Sequence, residues 1–317
     1  FFMIVTIGGS GFIGSRVVRK LLESSQEVLN IDPIYLSGCA YSPKYSYIQD
    51  RIQRLFGLPQ NSIVINFAAS LGGVAYFHKY PASLLTENLD ILNYVFKFAV
   101  RSSIKHIIQI SSSMVFEGAE EFPVSEDSLL KCKIPLSSYG MSKLVSEVFC
   151  KAFLDEFNLQ YTIVRPFNVA GLGEDPTKDS HVIPQLVYRI LQKENPLRLY
   201  GDGTQVRCFT HVEDIARGIC QIVQCIIAEE SFVQNTDFNL SSDVPISIEA
   251  LARRIWEKVY PNEMLSIEYL PAFKYDVKQR ISDSLKSRTL LGWKPQISLD
   301  EILDEVIDDY TACYGRT

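Results

Sequence analysis

Short, uniformly apolar runs alternate along the chain with longer segments in which apolar residues recur at helical spacing. The apolar runs lie at residues 1–7, 27–32, 62–69, 106–113 and 161–167. Runs of this length, bounded by turn residues, are typical of buried strands in a parallel sheet. Helical spacing follows Gly14 and is found again at 84–101 and 142–157. The pattern therefore predicts an α/β fold with a doubly wound parallel sheet and right-handed crossovers.

The predicted helices at 84–101 and 142–157 are apolar on more than one face. A helix of this kind is either buried in the core or packs against a partner. Core burial and a two-fold homodimer through both helices are the two interpretations that the pattern leaves open.

The composition changes after residue 167. The stretches NVAGLGEDPTKDSHVIP, at 168–184, and NPLRLYGDGTQVRCF, at 195–209, are rich in glycine, proline and aspartate, which is typical of loops over a site. The chain ends in an amphipathic, acidic helix, and it contains no repeat or low-complexity linker. We therefore expect the substrate-binding parts to be interleaved with the sheet.

Composition limits the class of protein. The 317 residues are 47% hydrophobic, which is enough for one large core or two smaller ones. A net charge of −6 without a run of like charges argues against nucleic-acid and membrane-surface partners. No apolar stretch reaches the roughly 18–20 residues of a membrane span, and the first residues lack the basic flank of a signal peptide.

The cysteines and histidines show no metal-ligand spacing. Seven cysteines are scattered without C-x-x-C pairs, and the four histidines form no H-E-x-x-H set. An odd number of cysteines without a pattern favours reduced thiols over a disulfide framework. We therefore expect a cytoplasmic enzyme without a metal.

The stretch IGGSGFIGS, residues 7–15, places glycines between the first predicted strand and the first predicted helix. Gly8 can take a positive φ, Gly11 lets the backbone approach a pyrophosphate, and Gly14 lets the helix lie close to the strand. The helix N-terminus adds unpaired N–H groups and a partial positive charge. The pattern predicts a pyrophosphate cradle, and the alternative is a tight turn without a ligand.

Asp32 ends the second predicted strand, 18 residues after Gly14. An acidic residue about 20 residues after the glycines is where a dinucleotide fold binds the adenosine ribose hydroxyls. A carboxylate at this place would repel a 2′-phosphate, so Asp32 predicts NAD rather than NADP. A turn residue at a strand end is the alternative.

Tyr139 and Lys143, in the stretch SSYGMSK, stand four residues apart at the start of a predicted helix and share one face. An ammonium group nearby favours the phenolate, but bringing a phenol to neutrality requires about 4 kcal/mol, so the cofactor's charge is needed too. The serines 111–113 end the fourth apolar run, at the sheet edge where ligands bind. A solvated helix face and turn-forming serines are the alternatives.

Taken together, these motifs resemble the extended short-chain dehydrogenase/reductases, specifically the NAD-dependent epimerase/dehydratase group that acts on nucleotide sugars. The resemblance is carried by the glycines at 8–14, Asp32, YIQD at 47–50, NFAA at 66–69, YPASLLTEN at 80–88, SSSMVF at 111–116, YGMSK at 139–143, RPFNVAG at 165–171, GDGTQVRCFTHVEDIARG at 201–218 and LGWKP at 291–295. It implies a Rossmann sheet with a smaller, interleaved C-terminal domain. The NAD-binding domain is expected at 1–168 and 211–243, and the nucleotide-sugar-binding domain at 169–210 and 244–317.

The resemblance also implies roles for individual residues. The residues expected to bind NAD are Gly8, Gly11, Phe12, Ile13, Gly14, Asp32, Asp50, Ala68, Tyr139 and Lys143. Ser112, Tyr139 and Lys143 would form the catalytic triad. The expected substrate-binding residues are Asn168, His181, Arg207 and Arg280, the two arginines as ligands of the diphosphate. The planar guanidinium fork suits phosphate oxygens.

The positions after Ser112 depart from the patterns of some relatives. The 4,6-dehydratases of this group have Asp-Glu where this chain has Ser113-Met114, and GDP-fucose synthase and GDP-mannose 3,5-epimerase have a cysteine in place of Met114. The segments NFAASLGGVAYF and DSHVIP nevertheless resemble those two GDP-sugar enzymes, and His181 stands where fucose synthase has its acid. An ordinary polar residue at a helix start is the alternative for His181.

We therefore expect an NAD-dependent nucleotide-sugar epimerase that oxidises C4 of the sugar and returns the hydride. The alternatives are a 4-dehydrogenase or 4-keto reductase, a GDP-sugar 3,5-epimerase-like enzyme, and a non-catalytic NAD-binding module on the same fold. The expected partners are a nucleotide-diphosphate sugar and a second copy of the chain.

Overall fold

The computed structural model describes residues 2–39, 42–52, 57–70, 79–176 and 180–315. The strands, in chain order, are β1 (Ile4–Ile7), β2 (Val28–Ile31), β3 (Tyr45–Ile48), β4 (Ile63–Asn66), β5 (His106–Ile110), β6 (Gln160–Pro166), β7 (Val169–Ala170), β8 (Leu197–Tyr200), β9 (Val206–Cys208), β10 (Thr210–His211), β11 (Thr236–Leu240), β12 (Pro245–Ser247), β13 (Ile267–Leu270) and β14 (Gln279–Arg280). The α-helices are α1 (Phe12–Glu23), α2 (Pro81–Arg101), α3 (Ser138–Phe157), α4 (Val182–Leu191), α5 (Val212–Ile227), α6 (Ile248–Val259), α7 (Leu285–Leu291) and α8 (Leu299–Tyr314).

A seven-stranded parallel sheet forms the centre of the molecule. Its order is β3-β2-β1-β4-β5-β6-β11, so the chain starts in the middle, winds to one edge and then returns to build the other half. The strand order reverses between β1 and β4, where Ile4 pairs with Val28 on one side and Ile63 on the other. Ligands bind at such a reversal, outside the carboxyl ends of the strands. The predicted doubly wound sheet is confirmed.

The apolar runs are slightly longer than the strands they form. The run at 106–113 ends as a strand at Ile110, because residues 113–116 turn into a short 3-10 helix with Ser112 as its N-cap. The edge strands β3 and β11 were not among the predicted runs. Strand β3 is half exposed and rich in tyrosine, so it lacks the apolar character of a central strand.

Helices cover both faces of the sheet. On one face, Val17 and Leu21 of α1 pack with Ile219 of α5; on the other, Phe96 of α2 packs with Phe149 of α3, their ring centroids 5.6 Å apart. Burying each large apolar side chain contributes about 1.5–3 kcal/mol, so both layers stabilise the fold.

Helices α2 and α3 satisfy the core-burial interpretation on their inner faces only. Their outer faces keep apolar side chains in contact with solvent: Tyr94 is 39% exposed, Val148 55% and Phe157 45%. The homodimer through these helices stays a prediction.

A smaller α/β unit lies beside the carboxyl edge of the sheet. Strands β8 and β13 form a parallel pair, and β12, β9 and β14 form a second small sheet. Its core joins Leu186 of α4, Ile255 of α6 and Val306 of α8. The chain enters this unit from β6 and returns through β10 to α5, so its parts are interleaved with the large sheet as expected.

Candidate active site

A cleft of about 930 Å³ lies between the carboxyl edge of the large sheet and the smaller unit. Every residue predicted for the site lines it: Gly8, Gly11, Phe12, Ile13, Gly14, Asp32, Asp50, Ala68, Ser112, Tyr139, Lys143, Asn168, His181, Arg207 and Arg280. These residues are spread along most of the sequence, and the fold brings them to one edge of the sheet.

The glycine turn leaves no room for side chains where strand and helix meet. Gly8 has φ +78°, and a Cβ there would lie 2.8 Å from the Ala68 nitrogen. A Cβ at Gly14 would lie 2.7 Å from the Gly8 carbonyl oxygen. Gly11, the N-cap of α1, faces the cleft instead, because a Cβ there would touch only the Gly8 oxygen, at 3.5 Å. The open side at Gly11 and the free helix N-terminus fit a pyrophosphate.

Gly9 was not predicted as a site residue, yet it is the most crowded glycine of the turn. A Cβ at this position would lie 2.3 Å from Asn30 Oδ1 and 2.5 Å from Thr6 Oγ1. Thr6 donates a hydrogen bond to Asn30 across the two strands, at 3.0 Å. Gly9 therefore lets the turn pack closely against Thr6 and Asn30. The signal for this role in the sequence was the presence of these two polar residues in otherwise apolar strands.

Asp32 lies at the end of β2 with both carboxylate oxygens facing backbone donors. Ser10 N–H donates to Oδ2 at 3.0 Å and Ile34 N–H donates to Oδ1 at 2.8 Å. These bonds fix the carboxylate at the cleft wall and leave lone pairs for the two hydroxyls of a ribose. Asp50 and Ala68 line the same part of the cleft.

We expect the protein to bind NAD on the order of 100-fold more tightly than NADP, because a 2′-phosphate would meet the Asp32 carboxylate. Calorimetric titration with both dinucleotides measures the ratio. Asp32→Asn keeps the shape and removes the charge, so the ratio should fall towards one. Equal affinity of the native protein for both dinucleotides would contradict the role of Asp32.

Ser112, Tyr139 and Lys143 meet where β5 ends and α3 begins. Tyr139 shares a hydrogen bond with Ser112, whose Oγ also accepts from the Met114 N–H at 3.2 Å. Lys143 is buried, donates to the Ile110 carbonyl oxygen at 2.9 Å and lies 5.8 Å from the centre of the Tyr139 ring. The structure therefore brings together the three residues for which the resemblance implies a catalytic role.

The protein alone does not ionise Tyr139. Burial raises its pKa to about 12, against the opposing effects of the Ser112 hydrogen bond and the Arg280 charge. Burial also lowers the pKa of Lys143 to about 8, while the Glu147 carboxylate opposes the shift. Desolvation is therefore the larger effect on the phenol, and the Lys143 ammonium does not offset it. The additional positive charge that the sequence argument required is needed.

A buried ion-pair network that sequence reasoning missed lies behind the triad. Glu147 accepts a hydrogen bond from Ser111 Oγ at 2.6 Å and binds Arg165 through two bonds of 2.8 and 2.7 Å. Arg165 also binds Asp237 at 2.7 Å. Glu147 follows Lys143 by four residues on the same helix face, which was the available signal.

Arg207 and Arg280 stand side by side on paired strands, since β9 and β14 align them directly. Burial lowers the pKa of Arg207 to about 10; burial and the charge of Arg207 lower that of Arg280 to about 9. Arg280 donates to Asn168 Oδ1 at 3.2 Å, and Asn168, with φ +39°, donates to the Cys208 carbonyl oxygen at 3.0 Å. Two adjacent desolvated cations form a site suited to a dianion such as a diphosphate.

His181 is the N-cap residue of α4 and reaches into the cleft, its side chain 62% exposed. Its Nδ1 lies 2.7 Å from Glu174 Oε2, which also accepts the His181 backbone N–H at 3.1 Å. Desolvation opposes the imidazolium, but the bond and charge of Glu174 outweigh it and raise the pKa of His181. The helix-start interpretation of His181 is therefore correct for its backbone, while its side chain forms an acid/base pair with Glu174.

Metal-ligand groups and membrane-spanning helices are both absent from the described ranges. No group of three or more histidine, cysteine, aspartate or glutamate side chains there could hold a metal ion. No helix within those ranges is both long enough and apolar enough to cross a membrane. The glycine pair of the segment NFAASLGGVAYF, at 72–73, lies outside the described residues.

Comparison with known proteins gives matches along the whole chain. A profile of the NAD dependent epimerase/dehydratase family matches residues 4–240. The chain is 30% identical to UDP-glucuronate 4-epimerase of Thermodesulfobacterium geofontis over 95% of its length and 94% of the relative's. It is 29% identical to UDP-glucose 4-epimerase of Lactobacillus helveticus, over 96% and 94% of the two chains. The crystal structure of UDP-glucuronic acid 4-epimerase from Bacillus cereus with UDP-glucuronic acid and NAD superposes with a TM-score of 0.86 at 26% identity, covering 99% and 100% of the two chains.

Proposed function

Because the chain belongs to the NAD-dependent epimerase/dehydratase family, and is thus an NAD-using enzyme of the extended short-chain dehydrogenase/reductases, we propose that it is a UDP-sugar 4-epimerase. The observation that carries this proposal is the placement of Ser112, Tyr139 and Lys143 in one cleft with the Arg207–Arg280 pair. The relatives named above act on UDP-glucuronate and UDP-glucose, which supports a uridine nucleotide.

The nucleotide sugar is held from the smaller unit. The adjacent guanidinium groups of Arg207 and Arg280 bind the diphosphate, and Asn168 holds Arg280 in place through its Oδ1. This anchoring brings the sugar to the carboxyl edge of the large sheet, beside Tyr139. We keep the domain division at 1–168 with 211–243 and 169–210 with 244–317 as part of this proposal.

Two side chains act on the sugar's C4 hydroxyl, and a third supports them. NAD, when bound, supplies a reversible acceptor for the hydride of C4. Tyr139, as the phenolate that the additional positive charge favours, accepts the hydroxyl proton as the carbonyl forms, and Ser112 donates a hydrogen bond to the developing carbonyl oxygen. Lys143, fixed by the Ile110 carbonyl, holds the nicotinamide ribose and adds positive charge near the phenol. The hydride returns to the opposite face of C4 while Tyr139 returns the proton to the oxygen, so the net change is an inversion at C4.

The residue after Ser113 favours inversion at C4 over chemistry at other ring carbons. Met114 lines the cleft and is nearly buried, and its thioether cannot exchange a proton. Ser113, also buried at the cleft wall, is too weak an acid or base without a partner. Deprotonation at C3 or C5 needs a base there, and this part of the site supplies none.

The Glu174–His181 pair is the specific observation that favours a second candidate, a 3,5-epimerase-like enzyme. With Nδ1 bonded to Glu174, the imidazole of this cleft-lining residue has Nε2 as a base when neutral and as an acid when protonated. One such group serves one face of a ring carbon, whereas epimerisation through carbon deprotonation requires a group on each face. This candidate therefore ranks second.

We expect the product formed in deuterated water to carry no deuterium on the sugar ring. Removal and return of hydride at C4 exchange no carbon-bound hydrogen with solvent, whereas carbon deprotonation imports it. Proton spectra of the product give the answer for each ring carbon. Deuterium at C3 or C5 would overturn the 4-epimerase proposal in favour of the 3,5-epimerase-like enzyme.

Turnover with a panel of nucleotide sugars separates the remaining alternatives. A product that keeps its C4 ketone and leaves stoichiometric NADH identifies a 4-dehydrogenase, and consumption of a 4-keto sugar with NADH identifies a reductase. A folded protein that binds NAD and turns over none of the sugars would be a binding module. A cytoplasmic location, inferred from the cysteine pattern, stays a prediction.

We propose a two-fold homodimer through the outer faces of α2 and α3. Tyr94, Val148 and Phe157 leave apolar area in solvent on neighbouring helices, which a second copy would cover. Sedimentation at micromolar concentration should give a dimer, and Val148→Asp should give a monomer. A native monomer would return these residues to ordinary surface positions.

A further inference from the structure

Ser112 and Tyr139 belong to separate short elements whose relative placement sets the geometry of the reaction. Ser112 is the N-cap of the 3-10 helix at 113–116, and that helix ends at Glu117, whose N–H donates to the Met114 carbonyl oxygen at 3.2 Å. Tyr139 is the second residue of α3, which begins after its N-cap Ser137. The segment 118–136 separates the two elements in the chain, so a contact between their ends must fix the distance.

The Glu117 side chain makes that contact. Its Oε1 accepts the backbone N–H groups of Leu136 and Ser137 at 3.2 and 3.1 Å. Its Oε2 accepts the Ser137 hydroxyl at 2.5 Å, and the same hydroxyl oxygen accepts the Gly140 N–H at 3.0 Å. A carboxylate at a helix N-terminus also interacts favourably with the helix dipole. One side chain therefore joins the end of the Ser112 element to the start of the Tyr139 helix.

The two elements meet without room for adjustment. A Cβ at Gly140 would lie 2.9 Å from Glu117 Oε2, 2.9 Å from the Met114 carbonyl oxygen and 2.8 Å from the Pro135 Cβ. Gly140 directly follows Tyr139, so the backbone of the candidate base is held against the 3-10 helix. Close packing excludes a closer approach, and the Glu117 bonds oppose a wider separation.

We propose that Glu117 is a positioning residue that sets the placement of the Tyr139 hydroxyl relative to Ser112 Oγ. Glu117 does not line the cleft itself and acts through Ser137 and the first turn of α3. The inference rests on the proposed function insofar as Ser112 and Tyr139 carry the reaction. Such a residue affects the chemical step, while the dinucleotide cradle lies on other elements. The Glu117 charge also acts on Arg280, where it competes with a diphosphate and does not support its binding.

The test compares Glu117→Ala with Glu120→Ala in the full-length, NAD-loaded enzyme. Glu120 is an exposed carboxylate in the same loop, paired with Lys133 at the surface, where an ion pair has little effect on stability. For Glu117→Ala we expect kcat to fall by roughly 10- to 100-fold, since a displacement of about 1 Å costs up to about 100-fold. NAD affinity should stay within about twofold of the native value, and KM for the sugar nucleotide should not rise, because the lost carboxylate competes with the diphosphate for Arg280. Glu117→Asp, which keeps a shorter carboxylate, should recover part of kcat.

Three results would overturn the proposal: a kcat equal to that of Glu120→Ala, a KM that rises as much as kcat falls, or no recovery in Glu117→Asp. If Glu117→Ala does not fold, Ser137→Ala, which removes only the bridging hydroxyl, replaces it. We again expect kcat to fall without a rise in KM. If the native protein turns over no UDP-sugar, the proposed function fails, and amide exchange at 137–140 decides the question about Glu117. Faster exchange in Glu117→Ala than in Glu120→Ala, with NAD binding retained, supports the positioning role of Glu117, and unchanged exchange refutes it.

Discussion

Replacing Tyr139 with phenylalanine is expected to lower kcat by about 10²–10⁴-fold, the range for loss of a general acid–base group. The phenol is the group in the assembled triad that can accept the C4 hydroxyl proton, because Ser112 acts as its hydrogen-bond partner and Lys143 is bound to the Ile110 carbonyl. Phenylalanine keeps the ring and its packing. The loss therefore falls on the chemical step.

The same substitution should leave NAD binding intact. The pyrophosphate cradle and Asp32 lie on β1, α1 and β2, and none of them depends on the Tyr139 hydroxyl. Tyr269→Phe is a matched control, because it removes a phenol that bonds Glu249 outside the cleft. A kcat lowered by this factor together with native NAD affinity is the expected pair of results, and a near-native kcat would remove Tyr139 from the mechanism.

The dinucleotide half of the site could be predicted because its residues are close in the sequence. Gly8, Gly11 and Gly14 bracket one turn, and Asp32 ends the next strand, so strand–turn–helix periodicity places all four. Tyr139 and Lys143 follow from helical spacing in the same way. Local geometry decides these positions, and local geometry can be read from spacing.

The substrate half could not be predicted from spacing. Arg207 and Arg280 become neighbours only because the two-residue strand β14 pairs with β9, and a strand so short has no periodic signal. Only the family resemblance pointed to them. The contact of Glu117 with Ser137 is non-local too, and it was missed because a glutamate in a loop resembles any solvated residue.

The direction of the Tyr139 pKa shift could not be predicted from the sequence. A lysine four residues away indicated a lowered pKa, but burial of the phenol raises it to about 12. Desolvation depends on everything that covers the group, and only the fold brings the covering residues together. Charge spacing in the sequence gives only the opposing contribution.

Replacing Arg280 with methionine is expected to raise KM for the UDP-sugar by about 10- to 100-fold, because a hydrogen bond to a charged group contributes about 1.5–3 kcal/mol. A smaller fall in kcat should accompany it, since the Arg280 charge also favours the Tyr139 phenolate. Arg280→Lys separates the two effects. It keeps the charge and should restore kcat, but it loses the planar fork and should leave KM raised.

Arg280→Met should not destabilise the protein in the absence of ligand. In the folded state burial and the Arg207 charge lower the pKa of Arg280 to about 9, below its unfolded value. A cation whose folded pKa is depressed costs stability at every pH below that pKa, and the cost decreases as pH rises above it. At neutral pH the cost is fully present, so removing the charge should leave the melting temperature equal or higher.

Thermal melting with and without UDP combines both expectations in one measurement. Ligand that binds only the folded state raises the melting temperature according to its affinity. Without UDP, the melting temperature of Arg280→Met should equal or exceed that of the native protein. With UDP, it should rise by less than that of the native protein. Arg253→Met is the control, because Arg253 pairs with Glu249 on an exposed helix face and should preserve the native shift. A native-sized shift in Arg280→Met would show that the diphosphate is held elsewhere, and a lowered starting temperature would show that Arg280 stabilises the fold.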